Sequence, residues 1–161
     1  MKAKDYFDRI KGVERNIESA MSRVELLECM AERITVSLDG EVVSRSRNVH
    51  SQEDAIIRLA EARTELKQLN DTYSYLVSII TKKMGSLEDP EDEKLLRNHY
   101  LLHMSLTETA VKMHHAKAWA YRRHDQALEK LDAILVDLVE TDIFPCWAQD
   151  KTFQAGTENA L

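Results

Sequence analysis

Apolar residues fall at Tyr6, Ile10, Val13, Ile17, Ala20, Val24, Leu27, Ala31 and Ile34, spaced 4-3-4-3 without a slip. This spacing holds one narrow stripe toward a partner helix for four heptads, which is the demand of a coiled-coil seam. A second run, Ala55, Leu59, Ala62, Leu66, Leu69, Tyr73, Leu76 and Ile80, repeats the pattern. It starts after a cap-like Ser51 with Asp54 three residues on, and Gly85 stops it. Two helices, each about 45 Å long at 1.5 Å per residue, are expected to pair antiparallel. An intramolecular core and a homodimer of four helices both satisfy these seams, and the spacing leaves that choice open.

The segment between the runs, TVSLDGEVVSRSRNVH (35–50), is rich in β-branched and turn residues, and Asp39-Gly40 suits a tight turn. It is expected to be an exposed loop. With four glycines and two prolines in 161 residues, the chain has few places to break a helix, so an all-α fold follows. GSLEDPEDE (85–93) is a punctuated acidic hinge in which Pro90 can open the next helix. Further helices are expected over about 90–102, 106–113 and 117–140, the middle one begun by a capping box of Ser105 and Glu108. The predicted organisation is a hairpin arm (1–84), a hinge (85–92), a compact head (93–140) and a frayed tail (141–161), whose Trp147 and Phe153 leave open a fold back onto the arm or a partner.

Charge divides unevenly along the chain. Net charge is −6, yet residues 93–134 carry 7 basic and 5 acidic side chains and five of the six histidines. Within them KMHHAKAWAYRRH (112–124) contains no acid. Cys29 and Cys146 form neither a CxxC pair nor a Cys/His ligand spacing, which fits a reducing cytoplasm. There is no signal-peptide core and no run near the roughly 18 apolar residues of a membrane helix, so no membrane partner is expected. The chain has no GxGxxG, GxxxxGK[ST] or GxSxG, and its cysteines have no partnered histidine, so catalysis is not expected. His114-His115 lacks the i+4 partner of an HExxH site, and neither a metal nor another cofactor is implied.

Residues 95–131 carry a denser pattern: Leu96, His99-Tyr100, Ser105, Glu108, Ala110, Met113, Ala127-Leu128 and Leu131. In this order and register they resemble the DNA-binding region 4 of bacterial sigma-70-type factors, a helix-turn-helix. Ala110 is small where the two helices cross, and Met113, Ala120, Ala127, Leu128 and Leu131 make the inner face, closed by Leu96, Tyr100 and Leu101. The resemblance implies that the second helix enters a major groove of double-stranded DNA with Lys117, Ala118, Trp119, Tyr121, Arg122 and Arg123, supported by Thr107, Lys112 and His115. Where the family has a turn glycine, a branched apolar residue and a polar cap, this chain has His114, His115 and Ala116, and Thr109 replaces an apolar residue. A non-glycine residue must then take the turn, and the second helix loses its side-chain cap.

The layout of a long heptad hairpin before such a head is similar to small phage-encoded proteins of Gram-positive hosts, including the RinA- and ArpU-type late-gene regulators. That resemblance implies regulation of transcription at phage or prophage promoters, in the bacterial cytoplasm at the nucleoid, with RNA polymerase as a further partner of the arm. A helical adaptor that modulates polymerase or a sigma factor without touching DNA is the competing expectation, favoured by the acidic arm.

Overall fold

The structure is a computed structural model that describes residues 2–37 and 45–136. Every regular element among the described residues is helical: α1 (Ala3–Ser37), α2 (Arg45–Met84), α3 (Pro90–Leu96), α4 (Leu106–Lys112) and α5 (Lys117–Leu135). None of these helices is long and apolar enough to cross a membrane. The described residues divide into two compact units, Gly12–Tyr73 and a second made of the residues up to Lys11 together with those from Ser74 to 136.

The first unit is the helical hairpin that the seams predict. Val13, Ala20 and Val24 of α1 and Ala62, Leu69 and Thr72 of α2 are its buried positions, all but Thr72 drawn from the two apolar runs. The Tyr73 hydroxyl donates to Glu14 Oε1 at 2.8 Å, Arg23 pairs with Glu65 at 3.0 Å, and Arg63 with Glu28 at 2.7 Å. Rising numbers on one helix meet falling numbers on the other, which makes the pair antiparallel. Helix extends further into the connection than the sequence suggests, through Ser37 on one side and from Arg45 on the other. Ser51 therefore lies inside α2 instead of capping it: local β-branched propensity is weak beside the continuation of a paired helix. Residues 38–44, with Asp39-Gly40, lie outside the described residues, as do residues 137–161, with Cys146, Trp147, Phe153 and the expected end of the last helix.

The second unit departs from the predicted boundaries because the first turns of the chain belong to it. The Ala3 amide donates to Asp132 Oδ1 at 2.5 Å, and the Tyr6 hydroxyl donates to the Leu76 carbonyl at 3.0 Å. Phe7 stacks on Tyr100 with ring centroids 3.9 Å apart and an interplanar angle of 6°. These contacts close a core in which Ile10, Leu76, Ile80 and Met84 are buried, as are Leu95, Leu96, Ala127 and Leu131 of the shorter helices. The expected arm, hinge and head thus do not separate at residues 85–92, since the compact unit already includes the end of α2.

The hinge behaves locally as its residues dictate. Helix α2 ends with the Gly85 amide bonded to the Thr81 carbonyl at 2.9 Å, and Lys82 and Lys83 lie in the last turn, favourable to the helix dipole. Asp89 then caps α3, accepting the Glu91 amide at 2.9 Å, with Pro90 in the first turn where its missing N–H costs nothing. That backbone hydrogen bond, together with Arg123 nearby, lowers the Asp89 carboxyl below its usual range.

Candidate functional site

Helices α4 and α5 are joined by the four residues 113–116. The capping box read from the sequence is complete: Ser105 Oγ accepts the Glu108 amide at 3.2 Å, and Glu108 Oε2 accepts the Ser105 amide at 2.8 Å. These hydrogen bonds hold the Glu108 carboxyl below its ordinary value. At the other end of α4 the His115 amide reaches back to the Ala110 carbonyl at 2.9 Å and the His114 amide to Val111 at 3.1 Å. This pair of bonds is a Schellman termination. It places His114 at φ 60, in the left-handed region that favours glycine. Ala116 then stands at the N-cap of α5 and supplies no side-chain hydrogen bond to it. The turn therefore places a non-glycine residue in the left-handed region, at a cost of about 1 kcal/mol for the histidine.

Ala110, Met113, Ala120, Ala127 and Leu131 are buried and form the inner face together with Leu96. Leu128, Tyr100 and Leu101, expected in the same core, are half-buried. Leu95 and Leu135, not singled out in the sequence, are fully enclosed. Thr109 is also enclosed, its hydroxyl having no hydrogen-bond partner, which is the consequence of a polar residue standing at an apolar position.

With the inner face settled, Lys117, Ala118, Tyr121 and Arg122 share one exposed stripe on the leading two turns of α5. The Lys117 ammonium lies 5.8 Å from the Tyr121 ring centroid, and Arg122 Nε reaches back to the Ala118 carbonyl at 3.4 Å. Thr107 is exposed on the first turn of α4. Lys112 is exposed as well, with its ammonium 3.3 Å from Asn98 Oδ1 and 3.6 Å from Met104 Sδ.

The other expected contacts turn inward. Arg123 pairs with Asp89 and Asp92 through two hydrogen-bonded contacts, and Lys130 joins the same Asp92 carboxylate at 2.6 Å. Asp92 is 0% exposed, so this guanidinium neutralises a buried charge and is not available to a groove. His115 stacks on Trp119, centroids 3.8 Å apart at 16°, and its Nε2 lies 3.3 Å from Glu91 Oε1. Trp119 is half-buried under that ring. Arg123, His115 and Trp119 are thus withdrawn from the stripe by acidic and aromatic partners.

Those partners, Asp89, Asp92, Glu91 and Lys130, are not among the site residues that the sequence motif singles out. A signal existed: Arg123 stands three residues after Ala120 and four before Ala127, at the margin of the inner face, and Lys130 lies two turns further along the same margin. A cluster at the back of the head was also missed. Tyr100 hydrogen-bonds His124 Nε2 at 3.0 Å, and the His99 and His124 rings meet edge to face at 5.3 Å. His99, 2.7 Å from the Met104 carbonyl, is depressed below the usual histidine range by burial, and Tyr100 is raised to about 12 by burial and the acids around it. It is carried by a π-helical turn, Arg97–Leu101, that widens the end of α3. Among the described residues no group of three or more His, Cys, Asp or Glu side chains could hold a metal ion.

No protein-family model, no curated protein and no solved structure matches the chain.

Proposed function

We propose that the chain is a DNA-binding regulator of transcription from phage or prophage genes, which docks α5 in the major groove near a promoter. The observation that carries this reading is the exposed stripe of Lys117, Ala118, Tyr121 and Arg122 at the start of the second helix of a capped helix-turn-helix. Arg122 offers a fork of donors to guanine or phosphate, Ala118 a methyl-sized surface to thymine, and Lys117 and Tyr121 phosphate contacts. The action is binding and recruitment, without chemistry, and the hairpin serves as the arm that dimerises or meets RNA polymerase. Fluorescence anisotropy with pooled fragments of the source genome tests this. Arg122→Ala should weaken specific binding by about 1–3 kcal/mol, and affinity should fall steeply with added salt. Absence of binding, or binding indifferent to salt, overturns it.

The second reading is a helical adaptor that modulates polymerase or a sigma factor. It is favoured by the internal pairing of Arg123 and by Leu102 and Val111, apolar side chains 54% and 71% exposed. A pull-down that retains polymerase subunits equally well with wild type and with Arg122→Ala would support the adaptor over the regulator.

A further inference from the structure

The acid-free window ends at Asp125, and the position of that residue on α5 matters. Counting 100 degrees per residue from the buried Ala120 and Ala127, Ala118, Arg122 and Asp125 lie together on the outermost stripe of the helix. The Asp125 side chain is 81% exposed. It is nevertheless not a loose surface acid, because His124 Nδ1 lies 3.1 Å from its Oδ1. A carboxylate can only accept, so Nδ1 carries the proton and donates it, and Nε2 accepts from the Tyr100 hydroxyl at 3.0 Å. Tyr100 is in turn fixed beneath the Phe7 ring. A chain of contacts from α1 through the π-helical turn to α5 thus orients one oxygen of a carboxylate that is otherwise largely in water.

We propose that Asp125 is a specificity-determining residue of the head, accepting a hydrogen bond from the exocyclic amine of a cytosine beside the base pair read by Arg122. This rests on the DNA-binding reading above. Three residues along a helix advance about 4.5 Å, close to one base-pair step of 3.4 Å, so the two side chains address neighbouring pairs. A carboxylate suits the cytosine N4 donor and repels both phosphate and the acceptor edges of guanine. Asp125 therefore marks the end of the cationic footprint and rejects wrong bases at the same step.

The test is selection of bound sequences from a library of short randomised duplexes by the full chain, repeated with Asp125→Asn and Asp125→Ala. Wild type should enrich one strong cytosine position next to the Arg122-dependent guanine. Asp125→Asn, which keeps an acceptor for His124, should shift that position toward adenine. Asp125→Ala should flatten it, losing about 5- to 150-fold of discrimination while binding to unrelated duplexes tightens. If both variants enrich the wild-type sequence with the same ranking, Asp125 only braces His124 and the inference is overturned while the DNA-binding reading stands. If wild type enriches nothing, both fall together.

Discussion

Arg63 in the hairpin and Arg123 in the head unit are the same side chain in two kinds of architecture. Arg63 meets Glu28 with both groups largely in water, 60% and 40% exposed. Arg123 meets an aspartate that water does not reach. In the hairpin, charge decorates a structure that the apolar seam already specifies, whereas in the head, charge is part of what fixes α3 against α5. Similar residues at similar helical positions therefore carry different information, and distinguishing them requires knowing which acid lies within reach and how deeply it is buried.

The contrast is sharpest for Arg123→Ala. It leaves the buried Asp92 carboxylate with Lys130 as its partner and should destabilise the protein by about 3 kcal/mol, the lower end for a broken buried pair because Lys130 remains half-exposed. Urea unfolding followed by circular dichroism reads this directly. A loss below about 1 kcal/mol would place Arg123 with the surface pairs and reopen it as a DNA contact. His114→Gly comes next and acts in the opposite direction. Relief of the left-handed histidine, partly offset by the greater freedom of glycine in the unfolded chain, should raise stability by about 0.5–1 kcal/mol. A decrease in melting temperature would show that the imidazole contributes something the backbone geometry does not express. Arg63→Ala is expected to change least, by roughly 0.5 kcal/mol and less in high salt. A large, salt-insensitive loss there would erase the distinction between the two regions.

The same contrast governs what could be read from the residues in order. The hairpin was legible because a seam is a local pattern: spacing of 4 and 3 names the buried side of each helix before any partner is known. Ser105 with Glu108, and Pro90 at the start of α3, were legible for the same reason, since such a signal closes within three residues. The stacking of Phe7 on Tyr100 and the pairing of Arg123 with Asp92 were not, because no periodicity joins positions that meet through the fold. The turn at His114 lies between these cases. Its lost glycine was visible in the sequence, and the Schellman bonds that tolerate the loss became visible with the backbone.

The hydrogen bond from Ala3 to Asp132 joins residues 129 positions apart, and that separation has a kinetic meaning. The hairpin can zip from its connection outward through contacts that grow gradually more distant, but the head cannot close until α5 has been made and the first turns of α1 have found it. During synthesis Tyr6 and Phe7 emerge well before Leu76 and Tyr100, the residues they meet. The hairpin is therefore expected to form before the head, an order that pulse-labelled hydrogen exchange would read as earlier protection in Gly12–Tyr73.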